Sequence, residues 1–364
     1  MKILLVVTGL EIGGAERQVV DLADELAVNG NQIQVAYFLG VQKVFPKNNS
    51  VEFIALGKNK RNIMAFVYGL FNLIDLIKLN KPDVVHAHMF HSIILTRISR
   101  FFTRIPMLVC TSHSSYDGGK LRMLAYRGTS FLGDIFTNVS QKAVDNLEKR
   151  GAIKKGSMIA VLNGINLSDF YRSDEKRILA RTNLDKNKKL LLSVGRFHEA
   201  KDYPNLLKAF SLVCTKRDDV ELWIVGDGQL RGEIESLIIK LNLQNKVKLL
   251  GIRNDIPELM NAADIYVLSS AWEGFGLVVA EAMATERVVV ATNCGGVKEV
   301  VGDCGFLVSV SDPTALSNSI IYSLSLNESE TTQLGEKARL RIENNYSIEQ
   351  VTKKWLTIYN GTYE

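Results

Sequence analysis

Cysteine is scarce in this sequence: four thiols in 364 residues (Cys110, Cys214, Cys294 and Cys304), none in a Cys-x-x-Cys pair. That spacing argues against a disulfide framework or a zinc site and for buried, reduced thiols. No 18-residue apolar run is free of charge. The nearest, Ile63 to Ile77, is short and interrupted by Gly69, Asn72 and Asp75, so no membrane-spanning helix is expected. The apolar start, Met1 to Val7, stops at Thr8-Gly9. It reads as a buried first strand rather than a signal peptide, which fits the cytoplasm. Low-complexity tracts and short-period repeats are missing too, which excludes fibrous and solenoid classes.

Several common chemical signatures are also missing. There is no Walker P-loop, no Gly-x-Ser-x-Gly elbow and no Asp-x-Asp pair to hold a divalent ion against phosphate. Gly226-Asp227-Gly228 follows an apolar run, but Arg231 stands where a dinucleotide fingerprint needs its third glycine. Hydride chemistry is therefore disfavoured. Neither a known motif nor the sequence pI of about 8.8 supports nucleic-acid binding.

What is present is an alternation of short β-branched runs with helical patterns, repeated twice. Runs at 2–8, 32–38, 51–56, 83–87, 106–112, 134–139 and 157–162 are expected as strands. They are continuously apolar, as buried parallel strands are. A polar stretch from Ser168 to Lys189 interrupts the pattern, which restarts at 190–195, 220–226, 246–250, 264–269, 287–291 and 304–308. Helical periodicity fills the intervals. The expected fold class is α/β, with two doubly wound domains and a ligand at the carboxyl ends of the strands. Charge divides the same way. Residues 1–177 hold 23 Lys/Arg and 15 Asp/Glu, a net +8; residues 178–364 hold 21 and 24, a net −3.

Three constellations suggest phosphate binding without a P-loop. Gly13-Gly14-Ala15-Glu16 follows the first strand and opens a helix, whose free amides suit an anion. Gly195-Arg196, with Lys201 five residues after Arg196, flanks a loop at a strand end with two cations. A planar fork and a point charge together suit a diphosphate. In Glu273-Gly274-Phe275-Gly276-Leu277, a loop carboxylate precedes a helix whose first amides are available to an anionic oxygen. Glu281 lies one turn further on the same face, among apolar neighbours, where it can hold a pair of ribose hydroxyls. A buried carboxylate needs such a partner.

Taken in order, these elements resemble the retaining family 4 glycosyltransferases of the GT-B fold. His86-Ala87-His88, Ser112-His113, Asn163-Gly164-Ile165-Asn166 and Gly295-Gly296 with Glu299 add to the pattern, and the resemblance covers essentially the whole chain. It implies two Rossmann-like domains facing across a cleft. The first is an acceptor domain at 1–165, rejoined by a crossing helix at 347–364. The second is a nucleotide-sugar donor domain at 166–346. By matched position, Gly14 would present its amide to the donor diphosphate, and Arg196 and Lys201 would stabilise it as leaving group without a metal or cofactor. Phe275, Gly276 and Leu277 would supply backbone amides. Glu273 would contact donor hydroxyls, Glu281 the ribose, Arg253 the region of the base, and His113 the donor sugar. The family's last motif residue is usually Asp where Asn166 stands here; Asn keeps the turn. His86 and His88 are expected on opposite faces of their strand, both structural.

The resemblance further implies transfer of a hexose or N-acetylhexosamine from a nucleotide sugar, UDP before GDP, to a lipid-linked glycan for O-antigen, capsule or exopolysaccharide. Alternatives are a sugar-nucleotide epimerase, a GDP-mannose-dependent mannosyltransferase or a non-catalytic scaffold. Between Lys58 and Arg127 there are 11 Lys/Arg against 3 Asp/Glu. Clusters at Lys58-Lys60-Arg61, Arg97-Arg100-Arg104 and Lys120-Arg122-Arg127 suggest peripheral contact with an anionic inner membrane face, Arg97, Arg100 and Arg104 carrying it. Oligomeric state is not readable from the residues.

Overall fold

Continuous apolar runs, buried on both sides, become two all-parallel sheets in the computed structural model. It describes every residue except 12, 58–62, 115–117, 183, 184, 186, 363 and 364. The chain divides into two units, Met1–Gly164 with Ile348–Glu364, and Ile165–Ser347.

The first unit runs β1 (Lys2–Gly9), α1 (Gly14–Val28), β2 (Gln32–Leu39), β3 (Glu52–Ala55), α2 (Ile63–Asn80), β4 (Val84–His88), α3 (Phe90–Ser99), β5 (Met107–Ser112), α4 (Lys120–Gly128), β6 (Ile135–Asn138), α5 (Gln141–Lys149) and β7 (Met158–Ala160). Its seven strands lie in the order β3-β2-β1-β4-β5-β6-β7. Alternation along β1 shows how the sheet is buried. Leu4 and Val6 join the core under α2 to α5, while Ile3, Leu5 and Val7 join the core on the other face, with Val19 and Leu22 of α1. Parallel pairing requires such helical cover on both faces.

The second unit runs α6 (Asp174–Ala180), β8 (Lys189–Val194), α7 (Tyr203–Cys214), β9 (Val220–Val225), α8 (Arg231–Lys240), β10 (Val247–Gly251), α9 (Ile256–Ala262), β11 (Ile265–Leu268), α10 (Leu277–Ala284), β12 (Val288–Thr292), α11 (Val297–Val301), β13 (Phe306–Val308), α12 (Pro313–Ser325) and α13 (Glu328–Tyr346). Its six strands lie in the order β10-β9-β8-β11-β12-β13. The last helix, α14 (Ile348–Tyr359), returns to the first unit and buries Val351, Trp355 and Ile358 in the α1 side of its core.

Two elements depart from the sequence reading. The polar stretch from Ser168 to Lys189 contains α6, which carries no fully buried residue. It is held by Arg177 and Arg181, which bond Asp264 at 2.7 and 3.1 Å. An apolar period cannot reveal a helix docked through guanidinium groups. The five-residue α11 is too short to show a period at all. Asn166 makes the expected turn, its side chain accepting the Ser168 amide at 3.0 Å.

In each sheet the strand order reverses beside the first strand of the unit, between β1 and β4 and between β8 and β11. Crevices at the carboxyl ends of such switch points are where open α/β sheets bind ligands.

Candidate functional site

The second unit's switch point holds most of the residues singled out in the sequence. Beyond β8 the chain passes Gly195 and Arg196 and makes a short 3-10 turn at Glu199–Lys201 before α7. Arg196 is exposed and forms no ion pair with any described acid. The Lys201 stem lies so close over Gly195 that a Cβ there would be 2.9 Å from Lys201 Cε. Its ammonium donates to Glu273 Oε1 at 2.6 Å, and Ser270 Oγ donates to the same oxygen at 2.7 Å. Both side chains are largely sheltered, 21% exposed for Lys201 and 14% for Glu273. Water screens such a pair little, so each charge depends on the other.

Neighbouring loops are laced into this pair. Ser269 Oγ donates to the Lys201 carbonyl at 2.8 Å, and the Ala271 amide to Ala200 at 2.8 Å. Thr292 Oγ1 donates to the Ser270 carbonyl at 2.6 Å, and the Gly296 amide to Gly274 at 3.2 Å. Ends of β8, β11 and β12 are thereby tied together around one carboxylate. The closest approach is at Gly295, with φ +52°: a Cβ there would lie 1.9 Å from the Glu273 carbonyl oxygen. Only glycine fits both the conformation and the space.

Phe275 turns its ring into the core, 5.7 Å from that of Tyr346. Gly276 caps α10 without a side-chain bond, and its carbonyl receives the Val279 and Ala280 amides, so the amides of Leu277 and Val278 have no acceptor within the helix. Glu281 is half-buried one turn on. Burial pushes the Tyr266 phenol well above its ordinary range, and Tyr203 and the carboxylates of Glu273 and Glu281 push it the same way. Both glutamates therefore act on one buried phenol. Burial and then Glu273 push the Cys294 thiol up to about 12, so it stays protonated. Ser270 escaped the sequence reading, and Cys294 was read only as a buried thiol, not as a neighbour of Glu273. Ser270 had a signal, a hydroxyl pair ending a strand; Cys294 had none. Arg253 lies beyond β10, at the sheet edge, where its guanidinium grips Asp255, with one bond at 2.8 Å.

In the first unit, α1 starts at Gly14, its cap Gly13 extended and without a side-chain bond. The Glu16 carboxylate folds back over the helix start, 2.3 Å from where a Gly13 Cβ would sit. A carboxylate thus already stands at the positive pole that the sequence reading assigned to a phosphate.

The two histidines of β4 correct an expectation. They do not point to opposite faces: residues two apart on a strand share one, and the His86 and His88 ring centroids are 3.8 Å apart. His88 Nδ1 meets His113 Nε2 at 3.0 Å, so His113 is joined to β4. His86 lies between Tyr359 of α14 and Thr111 of β5, at 2.6 Å from each. Among the described residues no group of three His, Cys, Asp or Glu is arranged to hold a metal ion.

Burial holds these rings neutral. It lowers His86 and His88 well below 6.5, with neighbouring imidazoles adding to it, and His113 to about 4. Unfolded, they titrate near ~6.5. The unfolded chain then binds more protons between about pH 6.5 and 4, so stability is full above about pH 6.5 and falls as pH drops through that window. Urea unfolding at stepped pH should show this decline, at most ~1.4 kcal/mol per pH unit for each ring, and a shallower one in His88→Asn. A flat profile would show that the rings titrate alike in both states.

The arginine cluster also needs correction. Arg97 is buried: it donates to the Tyr126 carbonyl at 3.0 Å and lies 4.8 Å from the Phe136 ring centre. Arg100 pairs with Asp134 and donates to the carbonyls of Leu132 and Ile105. Of the three, Arg104 alone is exposed. Lys58, Lys60 and Arg61 lie outside the described residues.

Residues 12–169 match the family model described as Glycosyltransferase Family 4, and residues 174–341 match Glycosyl transferases group 1. The chain belongs to the family 4 glycosyltransferases. Its fold is GT-B, two Rossmann-like units. Among curated relatives, the N-acetyl-alpha-D-glucosaminyl L-malate synthase of Bacillus anthracis is 29% identical over 62% of this chain and 59% of its own length. The UDP-Gal:alpha-D-GlcNAc-diphosphoundecaprenol alpha-1,3-galactosyltransferase of Escherichia coli is 28% identical over 80% of this chain and 78% of its own. Anabaena HepE, solved with UDP and glucose, has the same fold: TM-score 0.85, 21% identity, 99% of this chain and 100% of that one. In this glycosyltransferase, Arg196, Lys201, Glu273, Gly276 and Glu281 all lie in the second unit.

Proposed function

We propose that this glycosyltransferase moves a hexose or N-acetylhexosamine from a UDP-sugar to a lipid-linked glycan, with retention of configuration and without a metal ion. The carrying observation is the sheltered Lys201–Glu273 pair beside exposed Arg196 and the start of α10, which no side chain caps.

Breaking a glycosyl–phosphate bond puts negative charge on the departing diphosphate and positive character on the sugar. Arg196 and Lys201 stabilise the first, Lys201 held in place by Glu273 before reaction begins. Glu273 orients Lys201 and accepts sugar hydroxyls. Glu281 holds the ribose, and the amides at Phe275 to Leu277 take phosphate oxygens. Arg253 serves the base side, while Gly14 and His113 keep the roles read from the sequence. The Glu273 oxygen that receives Lys201 and Ser270 is a poor nucleophile, since both donors stabilise its charge. That favours same-face substitution over a double displacement through a carboxylate.

UDP is supported by the names of the Escherichia coli relative and the Anabaena structure. The lipid-linked acceptor is supported by the Escherichia coli relative and by a Campylobacter jejuni relative, both named for an undecaprenol-linked substrate, and the place in polysaccharide synthesis by a Rhizobium meliloti relative named for lipopolysaccharide core biosynthesis. The Bacillus anthracis name favours a second reading, a small soluble acceptor.

The test is incubation of the purified protein with UDP-galactose, UDP-N-acetylglucosamine or GDP-mannose, and either a detergent-dispersed polyprenyl-diphosphate N-acetylglucosamine or L-malate. Transfer from a UDP-sugar to the polyprenyl substrate, unaffected by EDTA and α-configured by NMR, is expected. UDP should also raise Tm, since it binds only the folded state. Transfer to malate alone, a requirement for metal, or a new epimer formed without acceptor would overturn the reading.

A further inference from the structure

The first unit carries an apolar surface that its core does not use. α2 buries Ala65, Gly69, Leu73, Ile74 and Ile77 against the sheet. Gly69 packs so tightly that a Cβ would sit 2.7 Å from the Phe38 ring. The outer side of its first half is Ile63, Met64, Val67, Tyr68 and Phe71, exposed by 41 to 81%. The first charge in the helix is Asp75. A surface helix of a soluble domain carries polar side chains on that face.

The surface extends across α3 to α4. Phe66 of α2 stacks on His91 at 5.1 Å, and Phe90 packs edge-on against Tyr126 of α4. Beyond them α4 exposes Leu121 and Leu124, by 83 and 63%. α2, α3 and α4 cover one face of the sheet and follow β3, β4 and β5, so their first turns share its carboxyl edge. Among the described residues no acid forms an ion pair with the cations of α4. Lys120, Arg122 and Arg127 are exposed on α4, which contains no Asp or Glu.

We propose that the first half of α2 and the exposed side of α4 form the face on which this enzyme lies against an anionic lipid bilayer. The inference builds on the lipid-linked acceptor proposed above and assigns it a surface. Apolar side chains entering the acyl boundary, rimmed by cations facing acidic headgroups, are the composition of an interfacial helix. Among the described residues α2 is the one helix long and apolar enough to cross a membrane. A crossing would pull Leu73, Ile74 and Ile77 out of the core, so the helix lies in the interface plane instead.

Co-sedimentation of the full chain with vesicles tests this. Wild type should bind phosphatidylcholine–phosphatidylglycerol vesicles, bind phosphatidylcholine alone weakly, and release as salt is raised. Met64→Glu with Phe71→Glu should weaken binding by about tenfold or more, with Tm and UDP binding unchanged. Lys120→Gln with Arg127→Gln should weaken only the component that depends on anionic lipid. Arg97→Gln, a buried control, should lower Tm and leave vesicle binding of the folded fraction intact. Unchanged binding in Met64→Glu/Phe71→Glu would overturn the proposal, as would a dimer dissolved by those substitutions in a protein that ignores vesicles. Transfer to a detergent-dispersed acceptor separates the two readings. Its absence in a wild type that binds vesicles defeats the proposed function and leaves the surface standing.

Discussion

Exchanging Lys201 for methionine is expected to lower kcat/KM for sugar transfer by roughly 10²–10³-fold, the cost of removing one prearranged charge from the leaving-group side. It should also destabilise the fold, because Glu273 then keeps a sheltered negative charge without the ammonium that balances it, although Ser270 still donates to it. Breaking a buried pair from one side costs about 3–5 kcal/mol, and the residual exposure of this pair places it at the low end. The two effects separate in a double variant. Lys201→Met with Glu273→Gln removes both charges, so urea midpoint and Tm should recover most of the loss while transfer stays down. A double variant that regains activity would show that the pair holds the loop and touches no substrate. Full activity in Lys201→Met would show that the diphosphate binds elsewhere.

The second large effect is expected from one methyl group. Gly295→Ala forces a left-handed residue to carry a Cβ that would sit 1.9 Å from the Glu273 carbonyl oxygen. The backbone holding the carboxylate must move. A displacement of about 1 Å at a reacting centre costs on the order of 10²-fold. Left-handed strain of ~1–2 kcal/mol adds to overpacking of ~1–3 kcal/mol. Steady-state kinetics and urea unfolding should both register the change. Gly232→Ala in α8 is the control: a Cβ there meets nothing within 4 Å. It should leave transfer alone and raise stability by about 0.4–1 kcal/mol. Equal behaviour of the two variants would remove the argument from close approach.

The legible part of this molecule was the part written locally. β1 and β8 are unbroken apolar runs because both faces of their sheets are covered, and such runs announce themselves without any partner. The Gly276 turn and the helix after it could be read for the same reason: the glycines and the apolar residues of α10 lie within a few positions of each other. α6 could not, since its anchor at Asp264 is far along the chain and polar. The shared face of His86 and His88 is local as well: a strand period of two puts both rings on one side.

Charge was the least legible quantity. Counting cations along residues 58–127 treated Arg97, Arg100 and Lys120 alike. Folding turned Arg97 onto Phe136, locked Arg100 onto Asp134 and left Lys120 in water. A guanidinium carries enough apolar surface to be buried when carbonyls receive its donors, and a count of signs contains none of that.

By itself the sequence determined two α/β halves, the strand ends at which a ligand binds, and the presence of Arg196, Lys201, Glu273 and Glu281 near those ends. Their relations belonged to the tertiary structure. Lys201 meets Glu273 across 72 positions because β8 and β11 are neighbours in the sheet. Of the cations counted between residues 58 and 127, Arg97 went into the core and Arg100 onto Asp134, while Lys120, Arg122 and Arg127 stayed exposed on α4. Periodicity is a local property and survives in one dimension; the pairing and direction of charges are set by strand order and burial, which exist only after the chain has folded.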